Sequence, residues 1–124
     1  MSHVLYKELS RLVVGAAYSV HNSLGLGLLE NVYEGAMVIE LQHRGLKVER
    51  QVRYPVSYRG EPVGDYFADV VVEKSIILEL KAVKELTSVM EAQLINYLRL
   101  SGIPVGYLMN FRGSRVEYRR RIVG

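Results

Sequence analysis

The short link Glu73-Lys74-Ser75 joins two apolar runs, about Val63 to Val72 and about Ser75 to Val83. A link this short leaves two strands one way to meet, as an antiparallel hairpin. A helix comes next in the chain. Ser88 with Glu91 three residues later matches a capping box. The helix runs to Leu100 and stops before "SGIP", where Gly102 and Pro104 forbid continuation. The next apolar run, "VGYLMNF" from Val105 to Phe111, must therefore return to the sheet by a helical crossover. Such crossovers are right-handed and make the fourth strand parallel to the third. Antiparallel on one side and parallel on the other, the centre of the chain is committed to a mixed sheet with helices against it.

The flanking sequence extends this pattern. Leu5, Leu9, Leu12, Ala16 and Val20 recur at helical spacing and predict a helix from about Val4 to His21. "NSLGLG", Asn22 to Gly27, breaks it. A second helix is expected from about Leu28 to Arg44, with Gly45 ending it. The period then changes to two. In "KVERQVRYPVSY", Val48, Val52, Tyr54, Val56 and Tyr58 fall on one face, and Lys47, Glu49, Gln51, Arg53 and Ser57 on the other. That is a half-buried strand, and Pro55 suggests an edge or a bulge. Gly60 marks the turn into the second strand. "RVEYRRRI", Arg115 to Ile122, is expected as a fifth strand antiparallel to the fourth. The order is ααβββαββ, an α/β class with a mixed sheet of four to five strands flanked by helices. With 124 residues, 49% of them hydrophobic, residues 1–124 are read as a single domain.

Composition closes several routes. There is no cysteine, which excludes disulfide scaffolds and thiolate metal sites. His3, His21 and His43 show no ligand spacing, which argues against zinc. No apolar run approaches the length of a membrane span. Lys7, Glu8 and Arg11 interrupt any signal-peptide core, so a cytoplasmic location without membrane attachment is expected. There is no internal repeat, no nucleophile-elbow motif, no Walker loop and no dinucleotide fingerprint. "GLGL", Gly25 to Leu28, reads as a turn. The net charge of +3 is a mild argument for an anionic partner. Arg112, Arg115, Arg119, Arg120 and Arg121 crowd the C-terminal end. They are either a charge-protected edge strand or a phosphate-facing surface.

The unexpected feature is charge inside the third strand. In "ILELKAV", Ile77 to Val83, Glu79 and Lys81 share one face, while Leu78, Leu80 and Ala82 take the other. Buried charge is costly unless it is paired or bound to a metal. A three-residue hairpin loop puts Asp69 opposite Glu79, on the face of Phe67 and Val71. Two adjacent carboxylates repel, and one pKa should rise unless a cation intervenes. Lys81 is one such cation. A divalent ion is a better one, and oxygen donors favour Mg²⁺ or Mn²⁺. On the wheel of the second helix Glu30 falls between Met37 and Leu41, with Glu34 at the border of that face. Each residue also has an ordinary account. Glu30 suits the first turn of a helix, and Glu79 with Lys81 suits a cross-strand ion pair. Gln93 and Tyr97 share one face of the third helix.

The set Asp69, Glu79-x-Lys81 and Gln93-x-x-x-Tyr97 resembles the signature of the PD-(D/E)XK nuclease superfamily, with the extra motif of its RecB-like branch. "GLLENVY", Gly27 to Tyr33, resembles the motif of the GxxExxY protein family, and so do "YFADVVVE", "EAQLINYL" and "VGYLMNF". The resemblance covers nearly the whole chain. Leu26 stands where that family often has proline, and Ala68 where the superfamily label has proline. The resemblance implies a restriction-endonuclease-like core and a Mg²⁺-dependent phosphodiesterase acting on nucleic acid, with DNA preferred. It implies Asp69 and Glu79 as metal ligands with the backbone carbonyl of Leu80. Glu30 would complete the shell or hold one of its waters. Lys81 would orient the attacking water and stabilise developing charge, while Gln93 and Tyr97 position substrate. The alternative is a nuclease-fold module that grips nucleic acid or a protein partner without cutting. An exposed sheet edge would allow a homodimer under either reading.

Overall fold

The computed structural model describes residues 2–124, and side chains from Tyr6 onward. The side chains of His3 and Leu5 lie outside the described residues. The elements are α1 (Ser2–Leu24), α2 (Glu30–His43), β1 (Val48–Tyr58), β2 (Glu61–Val72), β3 (Ile76–Lys81), α3 (Ser88–Ser101), β4 (Val105–Asn110) and β5 (Glu117–Ile122). The order is the one the sequence predicts. The five strands lie in chain order, β1-β2-β3-β4-β5. All neighbours are antiparallel except β3 and β4, which are parallel across α3. No helix among the described residues is long and apolar enough to cross a membrane.

The sheet separates two cores. On one side α1 and α2 place Leu9, Val13, Ala16, Val20, Met37 and Leu41 against Leu78, Leu80, Tyr107, Met109 and Phe111. On the other, Leu94 and Leu98 of α3 pack with Tyr66, Ala68, Val71, Ile77 and Leu108. β3 and β4 are covered on both faces, so their sequences are continuous apolar runs rather than alternating ones. At Gly106 the side chains of α3 lie directly against the β4 backbone. A Cβ there would stand 2.8 Å from Leu94 Cδ1.

Several boundaries and faces differ from expectation. α1 runs past His21 to Leu24, where Gly25, at φ 74, takes the left-handed C-terminal position and returns its N–H to the His21 carbonyl at 2.8 Å. α1 buries Val13 in place of the half-buried Leu12. β5 begins at Glu117, two residues after the expected Arg115. The N-cap of α3 is Thr87, whose hydroxyl accepts from Met90 N at 3.2 Å. Ser88 is the first helical residue, so the Ser88–Glu91 capping box does not form. Glu91 instead pairs with Arg119 and Arg121 of β5.

The most consequential difference lies in β1. Gln51 has φ 53, a left-handed value inside a strand. The register holds across it, from Arg50↔Val70 to Val52↔Ala68. The faces do not hold: Val48 packs with the α1/α2 core, whereas Val52, Tyr54 and Val56 pack with the α3 core. One residue out of the β region rotates the strand about its axis and restarts the alternation with the opposite sense. β2 reverses beside it, with Tyr66 and Ala68 on the α3 side and Val70 and Val72 on the other. The reversal falls at Asp69.

Candidate active site

The reversal at Asp69 is also where β2 leaves β3. Their pairing runs from Val72↔Ile76 to Val70↔Leu78 and ends there, although β3 continues beside β4 to Lys81↔Asn110. Val72↔Ile76 confirms the three-residue loop, and the same register carried on sets Asp69 against Glu79. Beyond the fork, the β3 groups that face β2 have lost their partner strand. Backbone N–H groups that lose a partner strand need other acceptors, and two carboxylates supply them. Asp69 Oδ2 accepts from Leu80 N at 2.8 Å. Glu30 Oε2 accepts from Ala82 N at 3.0 Å. Asp69 therefore does not stand on the face of Phe67 and Val71 as the alternation predicts. Its side chain reaches into the gap between the strands. The Leu80 carbonyl points the same way as its N–H, towards the gap.

Glu79 is the centre of the site. It is 7% exposed, and its Oε2 accepts from Tyr66 Oη at 2.6 Å and from Asp69 N at 3.2 Å. Burial, then the neighbouring Asp69 charge, pushes its pKa up to about 7. Burial also raises Asp69, against the Leu80 N–H bond that favours its charged form. Lys81 is half-buried and lowers both carboxylates electrostatically. None of the ion pairs among the described residues involves Lys81. Its ammonium is thus uncommitted beside a repelling carboxylate pair.

A second tier of residues holds this centre. Gln51 Nε2 donates to Asp69 Oδ1 at 3.4 Å and to Glu34 Oε1 at 2.9 Å. Glu34 is itself buried and paired with Arg50 Nε at 2.5 Å. The helical wheel put Glu30 at the centre of the apolar stripe of α2. Glu30 is exposed in the first turn, and Glu34 is the buried carboxylate. Asn110, 4% exposed, bonds both backbone groups of Val83 and so fixes the segment leaving Lys81. The G-x-x-E-x-x-Y stretch sets the entry into α2. Gly27 takes φ 96, and buried Tyr33 donates to the Gly25 carbonyl at 2.6 Å and stacks on Phe111. These contacts pin the loop that starts α2 and so aim Glu30 at the end of β3.

The fold brings Asp69 and Glu79 together with Lys81 near both, and Glu30 meets the chain at Ala82, just past the end of β3. Tyr97 approaches from α3 and stacks on Tyr66, with ring centroids 3.4 Å apart. Gln93 is exposed and makes no hydrogen bond among the described residues. Sequence reasoning passed over Tyr66, Gln51 and Asn110. Gln51 carries no sequence signal, because its role comes from a backbone reversal. Asn110 carried one, as a polar residue closing an apolar strand.

The donors here are all oxygens, the set a hard divalent cation takes. Oε1 of Glu30 and of Glu79 accepts no hydrogen bond among the described residues, and the Leu80 carbonyl faces the gap. This chemistry fits Mg²⁺ or Mn²⁺. The arrangement is not a preformed cage, since no group of three His, Asp or Glu side chains among the described residues gathers closely enough to hold an ion. The pair that fits is Asp69 and Glu79, with Glu30 held at Ala82, just past the end of β3.

A family model of the PD-(D/E)XK nuclease superfamily matches residues 7–122. Among solved structures, the crystal structure of SSO0001 is similar, with a TM-score of 0.60 and 19% identity. The likeness covers 75% of this chain and 50% of that one. The chain thus spans about half the length of that relative, and at this identity the likeness is one of fold. No curated protein matches the sequence.

Proposed function

The chain belongs to the PD-(D/E)XK nuclease superfamily, and we propose that it is a divalent-cation-dependent phosphodiesterase acting on nucleic acid, with DNA as its substrate. The mixed sheet flanked by helices is the restriction-endonuclease-like fold of that superfamily. The observation that carries the proposal is the fork at Asp69. It sets two repelling carboxylates and an uncommitted ammonium at the open end of one strand. Asp69, Glu79 and the Leu80 carbonyl would hold Mg²⁺ or Mn²⁺, with Glu30 beside them. A bound divalent cation polarises a phosphodiester and lowers the pKa of the attacking water. Lys81 orients that water and offsets the charge that develops on the phosphate. Asn110 and Glu30 keep the strand end carrying Lys81 in place. Arg112 and Arg115, exposed in the loop after β4 at the same end of the sheet, draw the phosphate backbone in. The unit of action is one nuclease-like domain over residues 1–124, working in the cytoplasm. The narrower GxxExxY membership rests on Gly27, Glu30 and Tyr33.

The test is cleavage of labelled single- and double-stranded DNA and RNA with Mg²⁺, Mn²⁺ or EDTA. Wild type is run beside Lys81→Ala and Asp69→Asn. Cutting that needs the metal and is lost in both variants is the expected result. Cutting that survives both substitutions, or that ignores EDTA, sinks the proposal.

One observation favours a second reading, a module that binds nucleic acid or a protein partner without cutting. It is the lack of a three-carboxylate cage among the described residues. On that reading Mn²⁺ gives no concentration-dependent rise in Tm, whereas a true site stabilises the fold as the ion is added.

A further inference from the structure

The three tyrosines beneath the site form a continuous stack. Tyr54 of β1 lies over Tyr66 of β2 at 6.0 Å between centroids, and Tyr66 over Tyr97 of α3 at 3.4 Å. Both pairs are close to parallel, with interplanar angles of 19° and 13°. The middle ring is 7% exposed, and its hydroxyl ends on Glu79 Oε2 at 2.6 Å inside the protein. A phenol held between two other rings has little rotational freedom. Its hydroxyl is therefore a fixed donor. Glu79 Oε2 takes that donor and Asp69 N, which leaves Oε1 as the oxygen without a hydrogen bond among the described residues. Tyr97, expected from the family resemblance to position substrate, faces Tyr66 instead.

We infer that Tyr66 is a positioning residue that fixes the rotamer of Glu79 and presents its Oε1 to the cation, and that Tyr97 acts through Tyr66 rather than on the substrate. The inference rests on the nuclease reading above. Ligating side chains are oriented by hydrogen-bond partners behind them, and losing such a partner costs about 10–100-fold in metal affinity or activity. Tyr66→Phe removes the hydroxyl and keeps the ring, so the stack and the fold are retained. Tyr97→Phe keeps the ring that touches Tyr66. Tyr97→Ala removes it and frees Tyr66 to turn.

The experiment is Mn²⁺ titration by calorimetry on the intact chain. Beside it run two readouts: the metal dependence of cleavage, and nucleic-acid affinity in EDTA. Tyr66→Phe should bind Mn²⁺ about 10–100-fold more weakly and need correspondingly more metal to cut, at unchanged nucleic-acid affinity. Tyr97→Ala should shift the metal requirement in the same direction, and Tyr97→Phe should match wild type. Equal Mn²⁺ affinity in wild type and Tyr66→Phe overturns the inference and leaves the nuclease reading standing. A loss of nucleic-acid affinity in Tyr97→Phe with metal binding intact returns Tyr97 to the substrate and overturns its assigned role. Failure of the wild type to bind Mn²⁺ overturns the inference and the reading beneath it together.

Discussion

Without metal, Glu79 should make the fold less stable as pH rises, and Glu79→Gln should abolish that loss. Burial and Asp69 hold Glu79 at about 7 in the folded chain, against 4.5 for an ordinary glutamate. Between those values the folded state keeps a proton that the unfolded state has released. Stability from this group is thus complete below pH 4.5 and lost as pH climbs through about 7. A gap of that width corresponds to about 3 kcal/mol. For a domain of this length that is a fall in Tm on the order of 10 °C. Asp69, also raised by burial, adds in the same direction. Glu8 and Glu91 are lowered by their arginine partners, so their changes fall below the ordinary carboxylate range and outside this window. The glutamine carbonyl still accepts from Tyr66 and from Asp69 N, so the substitution removes the charge and keeps the bonds. The assay is urea unfolding in EDTA at several pH values between 4.5 and about 7. Wild type should lose stability across the series, and Glu79→Gln should lose far less and be the more stable protein at the alkaline end. Parallel slopes for the two proteins would refute the reasoning, because they would mean that Glu79 is solvated or already neutralised.

Two further substitutions test the packing that carries the site. Thr87→Ala should cost about 1 kcal/mol by leaving the Met90 N–H without its cap, while Ser88→Ala should change stability by less than about 0.5 kcal/mol; urea midpoints of the pair decide which residue caps α3. Gly106→Ala should cost about 1–3 kcal/mol by overpacking, since the new Cβ would stand 2.8 Å from Leu94 Cδ1 and 3.1 Å from Leu98 Cδ2; a variant as stable as wild type would show that α3 shifts freely on the sheet.

The sequence by itself determined the element order, the mixed sheet and the pairing of β3 with its neighbours. Short-range constraints account for all three. A three-residue link admits one hairpin register, and a helix between two strands admits one handedness. The same register brought Asp69 level with Glu79 and set Lys81 beside them, which is why those residues were legible as candidates. Strict alternation failed at Gln51 and Asp69. Nothing in "ERQVR" announces a left-handed residue, because no local preference asks for one there. The reversal is carried by two cores on opposite sides of the sheet, each claiming part of β1 and β2. The helical wheel likewise chose Glu30 over Glu34, since it weighs angular position and not which turn of α2 meets the sheet. Tertiary structure alone decided that β2 leaves β3 at Asp69, that Glu30 and Asp69 take the amides left behind, and that Tyr66 lies between Tyr97 and Glu79. Those contacts join segments far apart in the chain, and their partners are fixed only when both cores close.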